Sequence, residues 1–348
     1  MTPPAPFPSE PLELTLTWLQ DLIEAGLGRE EPTRPAFWHE QAARLVDAKL
    51  PGLARRFRRV TLWPASDMAW APMVLVELGR IHLLVQAALQ AGGLPAEVRE
   101  ELALALRPAP KHETLMARTQ PVEDCWRVIG RRVSMEPLGP NQRMRVAETW
   151  LLGQGTGRTG VHLGFSPERS SKVGSAPAAD PIHPLAELLE GTPAGVAAHF
   201  TSRIAPQRLL FRQPGPKFAP VTGALEIPWM KSLTEARAAH LEQLDPLPWL
   251  EQFPILVQGL TPLTEDEARA AGCLDLRGAF PAARWVRDAA GECAPVSPLL
   301  PEQAWWRWLA FSRQVGAVGC FGVWDPAPYM LPYTLWAPGE AAPRGLFG

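Results

Sequence analysis

Glu302–Trp336, EQAWWRWLAFSRQVGAVGCFGVWDPAPYMLPYTLW, decides the fold. It reads as a short Trp-rich helix, a strand, a tight turn and a return strand. Five of the chain's fourteen tryptophans lie in it, whereas the whole chain has only two tyrosines. A hairpin with that much aromatic surface needs a helix or sheet to lie on, so this end closes a core. Trp305, Trp306 and Trp308 stand at i, i+1 and i+3 and span too wide an arc to face one way. At least one reaches the rim, where its indole N–H finds a partner. The rim, with Trp305, Trp306 and Trp324, is the aromatic surface a protein partner could use.

Before this end the chain changes rhythm once. From about Val122 the period is two: Trp126–Arg131, Met144–Leu152 and Val161–Phe165 predict strands. Arg208–Phe211 and Ile255–Val257 predict two more, with a helix near Leu233–Leu244 between them. Arg284–Arg287 and Cys293–Val296, joined by Asp288-Ala-Ala-Gly291, predict a β-hairpin. Ahead of Val122 the period is that of helices. Ser9 caps a first helix with Leu12, Leu16, Leu19 and Ile23 on one face. A second opens at Thr33-Pro35 and buries Trp38, Ala42, Leu45 and Val46, with Pro51-Gly52 as its stop. A basic helix runs from Leu53 to Val60. The longest spans Ala71–Gln90 on Val74, Leu75, Leu78, Ile81, Val85 and Leu89, closed by Gly92-Gly93 at positive φ. Pro95–Leu106 makes one more.

The fold class is therefore α+β, an all-helical N-terminal part followed by a β-hairpin-rich α+β part. Residues 12–120 form the helical domain and 121–336 the α+β domain, with a flexible loop at about 166–181. Residues 1–11 and 337–348 read as disordered tails. Proline is abundant, 39 of 348 residues, but scattered, which fits short rigid connections.

Net charge is −2 with no basic half or tail, unlike most nucleic-acid binders. Four cysteines (125, 273, 293, 320) stand far apart without Cys-x-x-Cys, and the first ten residues lack an export signal. The longest apolar stretch, within Met73–Ala91, is broken by Glu77, Arg80, His82 and Gln86, so no membrane span is expected. These features predict a cytoplasmic protein with free thiols.

Motifs that carry chemistry fail on context. Gly153-Gln-Gly-Thr-Gly-Arg158 leads into strand-like VHLGF rather than a helix and lacks the Lys-Ser/Thr pair, so it predicts a hairpin turn and not a phosphate loop. His112-Glu113 has Met116 where a second zinc-binding histidine would stand. The seven histidines never fall at ligand spacing. Ser166 is followed by Pro167-Glu168, which is no nucleophile elbow. No cofactor, metal site or catalytic residue is expected, and the chain reads as non-enzymatic. His82 is expected as a buried core histidine. Arg55, Arg56, Arg58 and Arg59 form the strongest charge run, on two adjoining helical rows with Leu53 and Phe57 turned inward. Such a face is solvated, paired within the chain, offered to an acidic partner, or, least of all, bound to nucleic acid.

Taken in order, several segments resemble bacterial SWIM zinc-finger family proteins, in the long region that follows the finger. They are WLQDLIEAGL, PAFWHEQAARLVDAKLPGLARRFRRV, VELGRIHLLVQA, DCWRVIGRRV, RMRVAETWLLGQGTGRTGVHLGF, DPLPWLEQFPILVQGLTPL, RWVRDAAGECAPV and WWRWLAFSRQVGAVGCFGVWD. The finger's Cys-x-Cys and Cys-x-His have no counterpart here, so its zinc ligands and nucleic-acid contacts transfer to no residue. Where relatives tend to have Trp-Asp-Gly, this chain has Trp324-Asp325-Pro326. The resemblance implies an adaptor or scaffold accessory to a MoxR-type AAA+ ATPase and a von Willebrand factor A protein. The rival functions are a nucleic-acid-binding accessory using the helix at 53–60 and an enzyme whose site is assembled from distant residues. The residues expected to make contacts are Arg55, Arg56, Arg58, Arg59, Trp305, Trp306 and Trp324.

Overall fold

The computed structural model describes residues 7–347 except 64, 67–69, 109, 140–141, 168–189, 203, 205–207, 213–214, 222–224, 274–283, 326–327 and 340–342. The first third is helical: Ser9–Ala25 (α1), Pro35–Asp47 (α2), Pro51–Arg59 (α3), Trp70–Leu89 (α4), Ala96–Leu106 (α5) and His112–Arg118 (α6). Pro121–Asp124 (β1), Trp126–Gly139 (β2), Gln142–Gly153 (β3) and Thr159–Pro167 (β4) follow, so the change of period falls where the sequence places it. Short strands come next: Glu190–Gly191 (β5), Val196–Phe200 (β6), Leu209–Phe211 (β7) and Ala219–Pro220 (β8). The remainder is Leu233–Leu244 (α7), Phe253–Leu263 (β9), Glu265–Ala270 (α8), Arg284–Arg287 (β10), Cys293–Val296 (β11), Glu302–Val315 (α9), Val318–Trp324 (β12), Met330–Trp336 (β13) and Arg344–Gly345 (β14).

The α+β class holds, and local detail departs from the reading in instructive places. α1 begins at Ser9 itself, after Pro8, with no side-chain cap, so residues 9–11 are helix and not tail. Pro51-Gly52 does not stop α2; Pro51 starts α3, where its missing N–H costs nothing. Gly92 and Gly93 close α4 in a tight turn without positive φ. Val46, Leu75 and Ile23 are exposed, while Gln41, Glu77, Arg80 and Thr15 are buried in their place. His82 is exposed as well, against expectation, because the inward face of α4 passes through Glu77 and Arg80. Within the expected tail at 337–348, residues 344–346 are ordered into the fold: β14 pairs with β13 and Leu346 is buried. Of the expected loop at 166–181, Ser166 and Pro167 end β4, and the rest lies outside the described residues.

Three sheets form. β4-β3-β2-β5-β8 make one, β1-β6-β7 a second, and β11-β10-β9-β12-β13-β14 a third. In the third, Val296 of β11 also pairs in parallel with Met330 of β13, and the Ser297 amide donates to the Met330 carbonyl at 2.8 Å. That rung closes β9, β10, β11, β13 and β12 into a five-strand ring. The largest core lies between this ring, α9, and the β2–β4 sheet, and it includes Trp150, Trp305, Trp308, Phe321, Trp324 and Tyr333. Gly130 of β2 allows the two sheets to touch: a Cβ there would stand 2.7 Å from the Phe321 ring. A second core fills the helices and takes in Leu247, Trp249, Leu250 and Tyr329 from the far half of the chain. The boundary at 120/121 is thus a change of secondary structure and not of core.

α4 is the one described helix long and apolar enough to cross a membrane, and half of its apolar window is buried inside the protein.

Candidate functional site

α3 is basic, but its basic residues do not share one environment. At helical spacing, Leu53, Arg56, Phe57 and Arg59 turn inward, leaving Arg55 and Arg58 partly exposed. Burying a guanidinium is tolerable only with acidic partners and full hydrogen bonding. Apart from Glu77 of α4, those partners come from far along the chain. Arg59 donates to Glu251 at 2.5 Å and to Asp325 at 2.8 Å. Arg56, only 2% exposed, donates to the Trp249 carbonyl at 2.6 Å and pairs with Glu77 at 3.3 Å and Glu251 at 3.2 Å. Arg55 pairs with Glu251, Arg80 donates to the Glu251 carbonyl at 3.3 Å, and Gln252 donates to Asp325 at 2.9 Å.

Burial pushes the Glu251 carboxyl up, but Arg55, Arg56 and Arg59 outweigh it and hold the group well below the usual carboxylate range. For Arg59 burial works against the charge, and Asp325 and Glu251 more than restore it. The network therefore fastens the helical part to the 247–252 segment and to the end of β12.

Beside it opens a cleft of about 620 Å³ between α3–α5 and the face of β2–β4 that further along packs on the ring through Gly130 and Trp150. Its floor carries a second charged group: Tyr333 donates to Glu148, and Arg132 stands 3.9 Å from the same carboxylate. Burial raises both Glu148 and Tyr333, the tyrosine well above its usual range. Glu101 lines the bundle side, and burial lifts its carboxyl to about 7 despite a hydrogen bond with Ser202. Arg208, just before β7, lines the cleft with Phe165, its guanidinium 5.8 Å from the ring centroid.

The expected contact residues divide sharply. Arg56, Arg59, Trp305 and Trp324 are buried, so none of them offers a surface. Arg56 and Arg59 are consumed by ion pairs, and the two indoles by the aromatic core. Arg55 and Arg58 are half-buried; only Trp306 stands out at 58% exposure, its indole N–H donating to Glu302 at 3.2 Å. Sequence reasoning missed Glu77, Glu101, Arg208, Glu251 and Asp325. A signal existed for Glu77 and Arg80, which interrupt an apolar helix at i, i+3 and so lie on one side of it. For Glu251 and Asp325 no local signal exists.

The glycine loop is a hairpin turn between β3 and β4, as its context predicts. Its free amides face inward onto Asp124: Gly155 and Thr156 donate backbone N–H at 2.9 Å each, and the Thr156 hydroxyl donates at 2.7 Å. Burial opposes this charge, but the donors prevail and Asp124 sits below its ordinary pKa. The protein's own carboxylate thus occupies the place where a phosphate would sit.

Burial raises the Cys293 thiol to about 12, beside Cys273, and burial holds the Cys320 thiol well above its usual range. Among the described residues no three His, Cys, Asp or Glu side chains converge as a metal site would require.

No curated protein and no solved structure matches the chain. The family match covers α1 to α5: residues 12–106 match the SWIM-associated four-helix bundle domain, consistent with the post-finger region of SWIM-family proteins.

Proposed function

We propose that the chain is a non-catalytic adaptor or scaffold, cytoplasmic, whose helices and sheets act as one frame for a protein partner. The observation that supports this most is the commitment of its acids and bases to one another. Glu251 is shared by three arginines, and Asp325 by Arg59 and Gln252. Groups so tied hold a shape and are poorly placed to exchange protons with a substrate. The same commitment removes half of the arginine row from any contact with nucleic acid. The resemblance to SWIM-family proteins supplies the partner class: a MoxR-type AAA+ ATPase with a von Willebrand factor A protein. The test is reconstitution from purified components. Co-elution with the ATPase or the von Willebrand factor A protein supports the reading. A chain that runs alone in every mixture and leaves the ATPase rate unchanged overturns it.

A second reading, an acid–base enzyme, draws on Glu101, whose carboxyl at about 7 stands in the cleft. A group titrating there can both give and take a proton at neutral pH. Turnover of an ester or phosphoester library that disappears in Glu101→Gln would favour it over the scaffold.

A further inference from the structure

Beside the acid-paired Arg56, the buried Nε atoms of Arg58, Arg127 and Arg208 have no hydrogen-bond partner, and of these three only Arg208 lines the cleft. Arg208 has no carboxylate within 4.0 Å among the described residues, although it is half-buried in the cleft wall. Its Nε is buried without a hydrogen-bond partner. The ion facing it is of the same sign: burial first, and then the charge of Arg55, push Arg208 below the usual guanidinium range. An uncompensated buried donor is destabilising and a like-charged neighbour adds to that. A fold that matches Arg56, Arg59 and Arg80 with acids, and Arg208 with none, holds Arg208 ready for an acid from outside.

The rest of the cleft describes what that acid is attached to. Leu104, Leu115, Val161, Leu163, Phe165 and Leu250 supply apolar walls. Thr201 and Ser202 bring hydroxyls to the same cleft, and Arg208 is set there by backbone: its carbonyl accepts from the Thr201 amide at 2.9 Å, and it bridges Val161 of β4. A volume of about 620 Å³ falls in the range of ligand pockets.

We propose that this cleft binds an amphipathic ligand through an anionic head, a carboxylate or a phosphate monoester, held by Arg208 with Arg55 alongside and its apolar body against the β3–β4 face. The proposal deepens the binding reading above by naming the chemistry of the site. The head can belong to a free small molecule or to an acidic side chain of a partner segment, and the shared element is an anion next to an apolar group.

Titration calorimetry with octanoate, octyl phosphate, octanol and a short Leu/Glu peptide tests it. Wild-type protein binds octanoate or octyl phosphate more tightly than octanol. Arg208→Met weakens the anions tenfold or more and leaves octanol unchanged, since one charge-assisted contact is lost. Arg237→Met, on α7 and away from the cleft, changes nothing. If the peptide shows the Arg208 dependence and the octyl anions bind too weakly to measure, the head belongs to a partner segment. A second measurement is independent of any ligand: the melting temperature of unliganded Arg208→Met rises, because a mismatched charge has been removed. Equal affinity of every anion for wild type and Arg208→Met overturns the proposal, and so does a fall in that melting temperature, which would assign Arg208 a structural partner. Neither result touches the adaptor reading, which stands or falls on co-elution with the ATPase system.

Discussion

Arg59 and Asp325 are 266 positions apart in the chain and 2.8 Å apart in the fold, both side chains almost wholly out of solvent. The pair joins the basic helix of the bundle to the last aromatic hairpin. Asp325→Ala leaves Arg59 with Glu251 alone and strands the Gln252 amide. Breaking one partner of a buried pair costs about 3–5 kcal/mol. The urea midpoint therefore drops substantially with an unchanged slope; a midpoint within error of wild type would show that the pair contributes nothing.

Two groups give stability opposite slopes with pH. Glu101 has its folded pKa raised by burial to about 7, from the ordinary 4.5. The folded state holds its proton longer, so stability falls as pH rises from about 4.5 to 7 and is level beyond. His240 has its folded pKa lowered to about 4 from 6.5, by burial and then by Arg80. Its stability is lost as pH falls from about 6.5 to 4. Glu101→Gln removes the first slope and gains about 1–2 kcal/mol at pH 8 but nothing at pH 4. Thermal melts of the two proteins across that range check it; parallel curves would refute the assignment.

Asp124 holds the glycine turn by four donors, counting the Cys125 amide at 2.7 Å. Asp124→Ala orphans them and costs about 1–3 kcal/mol. Hydrogen exchange at Gly155 and Thr156 accelerates more than exchange in β9. Equal acceleration everywhere would mean the turn is not locally held.

The two faces of α9 respond differently. Trp308 is fully buried and Trp306 is exposed. Trp308→Ala costs about 3–5 kcal/mol, whereas Trp306→Ala stays within about 0.5 kcal/mol. Comparable losses in chemical denaturation would show that α9 is turned the other way.

What was legible follows from range. The β10–β11 hairpin is read residue for residue, because Arg284–Arg287 and Cys293–Val296 flank a turn that Asp288 and Gly291 specify locally; the Asp288 carboxylate accepts from the Ala290 and Glu292 amides. β5, β8 and β14 have two residues each, too short to show a period. α4 is misphased because its inward face carries Glu77 and Arg80, polar residues whose burial depends on Arg56 from another helix. The cleft was invisible for the same reason. Glu101, Arg208 and Glu251 come from three separated segments, and each alone is an ordinary charged residue.

The rung between Val296 and Met330 has a bearing on self-association. β12 and β13 are apolar and aromatic on both faces, the kind of segment that adds to a copy of itself whenever a side is left bare. Each already lies between two strands of its own chain. Sealed this way, β12 stays between β9 and β13, and loss of that single rung would uncover the Met330 end of β13, while β14 still covers Thr334 and Leu335.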